Sequence, residues 1–407
     1  MHVLDTLKER GFLAQITFED DLYKALEKEP MTFYVGFDPT AESLHIGSSI
    51  PLMAMAHLQR AGHRPIALCG GGTAMVGDPS GKTDLRKMLT PENIANNITG
   101  IKKQIAHFID FNGDALLLNN ADWLLKLNYV DVLRDIGALF SVNRMLTAEC
   151  YKRRLETGLT FLEFNYMLMQ SYDFHWLFKQ YGCRLQLGGD DQWSNILAGA
   201  DLIRRKERED AFALTCPLVM THDGEKMGKT VSGALWLDPK RTSPYDFYQY
   251  WRNVADPDVE RFLGLLTFLP TDEIRRLGRL KNEQINEAKR VLAFEVTKLI
   301  HGEEEALKAQ DAAQALFGGA GGMENVPTFT ITAGMLAEDG RLTTLLASCG
   351  LCASRGEARK MVLAGAVLAG EDRITDIETL IRPEQIGESG LLLRKGKKSY
   401  CRLILAE

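Results

Sequence analysis

The sequence predicts an α/β protein built on a doubly wound parallel β-sheet. The first observation is that short apolar runs of strand length alternate with segments of helical period, which is the pattern of βαβ units. The predicted strands are residues 31–37, 65–69, 115–118, 184–187 and 213–220. The second observation is that two of these strands pass through a Gly-containing polar junction into a helix, where such sheets bind nucleotides. Residues 1–230 are therefore predicted to form a Rossmann-like catalytic domain.

The first of these junctions covers residues 33–48. Gly36 lies inside the strand, which often marks a close approach of backbone to a ligand. Asp38 and the following Pro39 end the strand, and a helical pattern begins just after His45-Ile46-Gly47-Ser48. The amides at the start of this helix are suited to phosphate groups.

Two further Gly-rich segments follow. Residues 77–83 imitate a phosphate-binding P-loop, but three residues separate the two glycines where that motif has four, which argues against it. We still expect Lys82 and Arg86 to face phosphates and Asp78 to hold an ammonium group, the alternative being a surface loop. The second strand–helix junction, residues 188–195, contains Asp191, which is suited to accept hydrogen bonds from ribose hydroxyls.

A helical segment over residues 161–181 carries Tyr166, Gln170 and Asp173 at positions i, i+4 and i+7. This spacing places three polar groups on one face of an otherwise apolar helix, which indicates a binding site or, alternatively, a satisfied core network. Further on, the segment Lys226-Met227-Gly228-Lys229-Thr230 predicts a cationic loop suited to pyrophosphate, or otherwise a pair of surface lysines.

Composition is that of a globular chain: 45% of the 407 residues are hydrophobic and 25% are charged. The uncharged stretch 43–59 contains histidine, serine, proline and glutamine, so we reject a membrane span, and the N-terminus lacks a signal-peptide pattern. A cytoplasmic protein with reduced thiols is expected. Cys349 and Cys352 have Cys-x-x-Cys spacing without further ligands nearby, so no metal site is predicted.

The domain organisation predicted after residue 230 has three parts. Residues 231–317 read as a helical domain, 318–340 as a flexible linker that begins with a Gly-rich run, and 341–407 as a small α+β module. This last segment has 11 Lys and Arg against 8 Asp and Glu, a net charge of +3 in a chain of net −6, which leaves −9 for the rest. The charge indicates an anionic partner or, alternatively, a solvated charged face.

In combination, these motifs resemble those of a known family. His45-Ile46-Gly47-Ser48 and Lys226-Met227-Gly228-Lys229-Thr230 lie about 180 residues apart, and they resemble the signatures His-Ile-Gly-His and Lys-Met-Ser-Lys-Ser of class I aminoacyl-tRNA synthetases. Ser48 replaces the second His of the first signature. Over its whole length the chain is similar to the branch of this family that activates tyrosine, and its tail resembles the small RNA-binding module of that branch.

The resemblance implies a homodimeric enzyme that uses ATP and Mg²⁺ to activate L-tyrosine and then charges tRNA(Tyr). The residues implied in catalysis are Thr40, His45, Lys82, Arg86, Lys226, Lys229 and Thr230. Those implied in tyrosine binding are Tyr34, Asp78, Tyr166, Gln170, Asp173 and Gln192. Those implied in ATP binding are Gly36, Asp38, His45, Gly47, Ser48, Gly189, Asp191 and Lys229.

Two alternatives stay open. One is a tryptophanyl-type class I synthetase, against which the Tyr34 and Asp173 pair and the tail module argue. The other is a non-catalytic RNA-binding protein on a synthetase body, which only Ser48 favours and which Lys226 and Lys229 oppose.

Overall fold

The computed structural model describes residues 1–80, 89–230, 233–318, 327–387, 390–396 and 399–406. It forms two compact units. The first contains residues 1–228, 236–238 and 255–279, and the second contains residues 229–235, 239–254 and 280–407. In the described part of the chain, no helix combines the length and the apolar character needed to cross a membrane.

Helices and strands are numbered in chain order. The strands are β1 (Gln15–Ile16), β2 (Thr32–Phe37), β3 (Arg64–Cys69), β4 (Leu116–Asn119), β5 (Cys183–Gly189), β6 (Phe212–Cys216), β7 (Lys229–Thr230), β8 (Gly233–Ala234), β9 (Thr328–Ile331), β10 (Val367–Ala369), β11 (Asp372–Ile374), β12 (Leu391–Lys395) and β13 (Ser399–Leu405). The helices are α1 (Val3–Arg10), α2 (Glu19–Lys28), α3 (Ser49–Arg60), α4 (Pro91–Ile105), α5 (Ala121–Leu124), α6 (Tyr129–Asp135), α7 (Val142–Leu146), α8 (Glu149–Thr157), α9 (Phe161–Phe164), α10 (Tyr166–Tyr181), α11 (Trp193–Glu207), α12 (Pro244–Arg252), α13 (Val259–Leu266), α14 (Thr271–Gly278), α15 (Ile285–His301), α16 (Glu303–Gly318), α17 (Ala333–Asp339), α18 (Leu342–Ser348), α19 (Arg355–Leu363) and α20 (Pro383–Ile386).

The first unit is organised around a six-stranded sheet of order β1-β6-β5-β2-β3-β4. Strands β2 to β6 are parallel, and the two-residue β1 adds an antiparallel edge to β6. From β2 the chain winds outward through β3 and β4, then returns to place β5 and β6 on the other side of β2. The doubly wound parallel sheet predicted from the alternating pattern is therefore confirmed, and its strand order reverses between β2 and β5.

Helices α13 and α14 belong to this first unit, although residues 231–317 were predicted to be one helical domain. One contact between α13 and the start of the chain is made by Arg10, which is 8% exposed at the end of α1. Its guanidinium donates to the carbonyls of Gly264 at 3.2 Å and Thr267 at 2.9 Å, and also to that of Leu269. These carbonyls lie at the end of α13, so a cation there satisfies acceptors that have no partner within the helix.

In the second unit, α12, α15 and α16 pack on one another, and the aromatic side chains Phe247, Tyr248 and Trp251 of α12 are fully buried. The remaining part is a five-stranded sheet of order β11-β10-β12-β13-β9 with α17 to α20. Cys352 is buried in its core, and Cys349 packs against that core half-buried. Both thiols thus have a packing role, and the expectation that they bind no metal stays a prediction.

The prediction that residues 318–340 form a flexible linker is wrong from residue 327 onward. Strand β9 pairs in parallel with β13, and α17 follows directly. Ile331 is fully buried in the core of this sheet. The strand is only four residues long and its apolar positions, Phe329 and Ile331, are separated by threonines, so period-2 patterning was too short to be recognised in the sequence.

Candidate active site

A cavity of about 510 Å³ opens at the carboxyl ends of β2 and β5, beside the N-terminal half of α10. It lies where the strand order of the sheet reverses, and its volume is in the range of small-molecule sites. The predicted site residues that line this cavity are Tyr34, Gly36, Asp38, Thr40, His45, Ser48, Asp78, Tyr166, Gln170, Asp173, Gly189 and Gln192. The structure therefore brings residues from four separate segments of sequence to one cavity.

Asp173 on α10 is the buried carboxylate of this cavity, with 2% of its surface exposed. It accepts hydrogen bonds from Trp123 Nε1 at 2.7 Å and Asn120 Nδ2 at 2.9 Å. Burial raises the pKa of Asp173 to about 7, although these two donors act in the opposite direction. Two donors leave acceptor capacity on the carboxylate, so it can take a further hydrogen bond from a bound hydroxyl.

Asn120 and Trp123 were not identified in the sequence. Both follow the carboxyl end of β4, whose last residue is the polar Asn119. The signal available in the sequence was therefore the polar pair 119–120 directly after a predicted strand. Asn120 also donates to Thr73 Oγ1 at 3.0 Å, and Thr73 donates to Asp38 at 2.7 Å. This network fixes the position of the Asp173 carboxylate relative to the rest of the cavity.

Tyr34 and Gln186 are neighbours across the β2–β5 pair, and both line the cavity. The Tyr34 hydroxyl and Gln186 Oε1 are buried without a hydrogen-bond partner among the described residues. Burial raises the pKa of Tyr34 well above its usual value, so the phenol keeps its proton and can donate. Unpaired buried polar groups are costly, which indicates that a ligand or water completes them. Gln186 was missed in the sequence, although it is a polar residue between two buried leucines.

A second group of polar side chains surrounds Asp38 and Asp78. The Tyr166 hydroxyl donates to Asp38 at 2.9 Å, and Gln192 Nε2 donates to Asp78 at 2.7 Å. Gln170 Oε1 is buried without a partner among the described residues. Carboxylates and amide oxygens together form a cluster of acceptors, and such a cluster is suited to an ammonium group.

The segment that leads into α3 presents backbone amides. His45 precedes a short 3₁₀ turn, and its Nδ1 accepts from the amide of Gly47 at 3.0 Å. A Cβ on Gly47 would lie 2.8 Å from the His45 ring, so a side chain at this position would displace the imidazole. The turn continues into α3, whose N-terminus has no side-chain cap, which suits this end of the helix to an anion.

The two acids at the start of the second junction have different surroundings. Asp190 Oδ1 accepts from Gln15 Nε2 at 2.7 Å and Thr215 Oγ1 at 2.8 Å, so it joins β1 and β6 to this junction. Asp191 is exposed beside Gly189, where a Cβ would approach the Asp191 carboxylate to 2.7 Å. Of the two acids Asp191 is the exposed one, and its role toward a ribose stays a prediction.

The lysine-containing segment of residues 226–230 is described only in part. Residues 219–227 form a hairpin in which Met227 N donates to Val219 O at 2.9 Å, and Lys226 is exposed on it. For Lys229 and Thr230 the structure describes the backbone, as strand β7. Lys82 and Arg86 lie outside the described residues.

Comparison with known proteins shows the family to which this fold belongs. Residues 26–318 match the family model for tRNA synthetases class I (W and Y). The chain therefore belongs to the class I tRNA synthetases of the tryptophan and tyrosine group. Residues 320–403 match a second model, the Tyrosine--tRNA ligase SYY-like C-terminal domain.

Two curated relatives align over their entire length. The chain is 58% identical over 408 residues to the Tyrosine--tRNA ligase of Caldanaerobacter subterraneus subsp. tengcongensis, covering 100% of both. It is 57% identical over 406 residues to that of Clostridium perfringens, again covering 100% of both. Among solved structures, a C-terminally truncated mitochondrial tyrosyl-tRNA synthetase of Aspergillus nidulans is 30% identical, with a TM-score of 0.70 over 78% of this chain and 94% of that one.

Proposed function

We propose that this chain is a tyrosine–tRNA ligase. It activates L-tyrosine with ATP to tyrosyl-adenylate and pyrophosphate, and it then transfers the tyrosyl group to the 3′ end of tRNA(Tyr). The observation that carries this proposal is the buried end of the cavity, where Asp173 and Tyr34 offer an acceptor and a donor to a phenol hydroxyl. This activity is exerted in the cytoplasm, where tRNA and ATP are available.

The test is pyrophosphate exchange into ATP, measured separately with each of the twenty amino acids. Exchange with tyrosine alone agrees with the proposal. Exchange with tryptophan would favour the tryptophanyl alternative, and no exchange with any amino acid would favour a non-catalytic RNA-binding protein.

Substrate tyrosine is oriented in the cavity by its two ends. Its phenol hydroxyl donates to Asp173 and accepts from Tyr34. Its α-ammonium group binds among the acceptors formed by Asp78, Tyr166 and Gln170. The hydrogen bond from Gln192 to Asp78 holds that carboxylate in place. The ammonium end is thereby directed toward the acidic side of the cavity, and the carboxylate is left free to react.

Activation requires no protein nucleophile. A carboxylate oxygen of tyrosine attacks the α-phosphorus of ATP, the bond from that phosphorus to the bridging oxygen breaks, and pyrophosphate leaves with the electron pair. A ribose hydroxyl of the tRNA then attacks the adenylate carbonyl and releases AMP. Catalysis therefore consists of positioning and of stabilising the charge that develops.

The two strand–helix junctions bind ATP. Thr40, His45 and the amides at residues 47–48 meet the phosphates, with Gly36 and Asp38 beside them, and Gly189 and Asp191 bind the ribose. The cations Lys82, Arg86, Lys226 and Lys229, with Thr230, receive the pyrophosphate. Mg²⁺ would be held by the ATP phosphates, which is how this ion is usually bound, and would supply neutralisation of phosphate charge beside these cations. Among the described residues no group of three or more His, Cys, Asp or Glu side chains is placed to hold a metal by itself.

Tyr34→Phe should reduce discrimination between tyrosine and phenylalanine. The change removes one hydrogen bond to the substrate phenol and also removes a hydroxyl that phenylalanine would leave unpaired, which together amount to roughly 1 kcal/mol. The measurement is the ratio of kcat/KM for the two amino acids in pyrophosphate exchange. An unchanged ratio would show that Tyr34 does not read the phenol.

A homodimer is also part of this proposal. The residues that would form its interface belong to the stretch of chain that follows β4 and precedes α10. Helix α6 buries none of its residues, and this region exposes large apolar side chains. They are Leu125, Tyr129, Val130, Leu133, Val142, Leu155, Phe161 and Leu162, each at least 41% exposed. Eight exposed large apolar side chains within one stretch of sequence are many for a monomer, and the occupant we propose is a second copy of the chain.

Val130→Asp combined with Leu133→Asp should convert the dimer to a monomer, because two carboxylates would be buried against an apolar partner face. Light scattering after size-exclusion chromatography gives the mass directly. Phe18→Asp is the control, since Phe18 is 65% exposed outside this region and its replacement should leave the mass unchanged. A double variant with the mass of wild type would place the interface elsewhere.

A further inference from the structure

The hairpin of residues 219–227 controls where Lys226 lies. Its two strands are joined by the hydrogen bond from Met227 N to Val219 O, and Lys226 pairs with Met220 across the hairpin. The turn is closed by Thr221 N donating to Glu225 O at 2.7 Å, and Gly224 adopts a φ of 81° there. Because the second strand is fixed to the first, whatever holds residues 219–222 also sets the position of Lys226.

The first strand is held by two side chains at the start of α13. Asp258 Oδ2 accepts from the backbone amide of His222 at 3.0 Å and lies 3.3 Å from His222 Nδ1. Asp258 Oδ1 accepts from Arg261 Nη2 at 2.7 Å, and the same nitrogen donates to the carbonyl of Met220. We call these four residues, Met220, His222, Asp258 and Arg261, the hairpin clamp.

The Asp258 carboxylate is unusual for its place in the helix. It is the N-cap residue of α13, a position where an aspartate normally accepts a hydrogen bond from the second or third amide of the helix. Here it makes no such bond, and both oxygens are directed to the clamp instead. The Arg261 side chain is 44% exposed, so the ion pair itself contributes little, but the Asp258 carboxylate is buried and its bonds to His222 and Arg261 fix its direction.

We infer that Asp258 and Arg261 are positioning residues for the adenylation step, acting through the hairpin that carries Lys226. The inference rests on the proposed role of Lys226 toward pyrophosphate. A lysine on an unrestrained loop occupies many positions, and a small misplacement of a charge-stabilising group slows a reaction that depends on positioning. The clamp reduces this freedom while leaving the cavity itself untouched.

Arg261→Met tests the inference, since methionine keeps an unbranched apolar side chain and removes both donated hydrogen bonds. We expect the adenylation rate at saturating substrates to fall roughly tenfold, with the KM for tyrosine unchanged. Trypsin should cleave after Lys226 several times faster than in wild type, read by mass spectrometry. Arg276→Met is the matched control, because Arg276 forms an i,i+3 pair with Glu273 on the next helix and has no part in the clamp. It should leave both readouts unchanged.

Lys226→Ala separates the two hypotheses. A slow Lys226→Ala with Arg261→Met at the wild-type rate would overturn the clamp and leave the role of the lysine intact. If adenylation by Lys226→Ala is as fast as in wild type, the proposed role of Lys226 is wrong. The inference that Asp258 and Arg261 act by positioning Lys226 is then wrong as well. When both single variants are slow, the double variant should be little slower than Lys226→Ala alone, because Arg261 acts through this lysine; additive losses would contradict that.

Asp258→Asn provides a second variant in case Arg261→Met does not fold. It keeps the size of the side chain and removes the charge that orients Arg261, so it should slow adenylation and speed cleavage in the same direction. Normal values of both readouts in this variant would also overturn the inference.

Discussion

Asp173→Asn should lower kcat/KM for tyrosine by about 100-fold. The asparagine amide has one acceptor oxygen and one donor nitrogen, so it cannot accept from Asn120, Trp123 and the substrate phenol together. Hydrogen bonds to a charged acceptor contribute roughly 1.5–3 kcal/mol, and an NH₂ facing a buried donor adds a desolvation cost. Phenylalanine, which offers no hydroxyl, should be affected much less and serves as the internal control.

The same residue predicts a pH dependence. With a pKa of about 7 in the free protein, Asp173 is protonated below that pH, and its carboxylate then loses acceptor capacity. Wild-type kcat/KM for tyrosine should therefore fall as the pH decreases through about 7, because kcat/KM reports groups of the free enzyme. In Asp173→Asn this decrease of kcat/KM at low pH should disappear. A variant that keeps both the wild-type rate and the wild-type pH profile would remove Asp173 from the site.

A chain stopped at Gly322 should keep tyrosine-dependent pyrophosphate exchange and lose most tRNA charging. The residues assigned to adenylation all precede residue 231, whereas the tail carries the net positive charge and exposes Arg355, Arg359 and Lys360 on α19. A basic surface gains affinity by displacing counterions from phosphates, so we expect the KM for tRNA to rise at least roughly tenfold.

Salt provides the control for this truncation. Charging by the full chain should fall steeply with salt concentration, and residual charging by the truncated chain should depend on salt less. Arg359→Glu combined with Lys360→Glu in the full chain should reproduce a milder form of the defect. Loss of exchange together with charging would show that the tail supports the catalytic part, and full charging would place the tRNA site elsewhere.

The sequence predicted those parts of the site that local patterns encode. Gly36, Asp38 and His45 could be found because strand propensity, a proline and a helical period change within a few residues, and these changes mark a strand–helix junction. Tyr166, Gln170 and Asp173 could be found because helical spacing alone places them on one face. In each case the positions are related by geometry within one element.

Residues related only through space could not be predicted in this way. Trp123 and Asn120 hold Asp173 from a segment 50 residues away, and no periodicity connects them. Likewise, α13 lies in the first unit and Arg10 binds its terminal carbonyls, a contact over more than 250 residues. The four-residue β9 was missed for a different reason, since its alternating pattern is too short to be recognised and its pairing with β13 joins segments far apart in sequence.

The Arg10 contact has a practical consequence for anyone who re-engineers the N-terminus. Arg10 belongs to the first helix of the chain, a segment that is commonly shortened or fused to a tag for expression. It nevertheless binds the end of α13, and Asp258 and Arg261 lie at the beginning of α13. Deleting residues 1–10 would leave the carbonyls of Gly264 and Thr267 without the Arg10 cation that binds them. This would destabilise α13, the helix that contributes Asp258 and Arg261 to the hairpin clamp. Tags are therefore better placed ahead of an intact Met1, and a shortened variant with slow adenylation need not have lost any residue of the cavity.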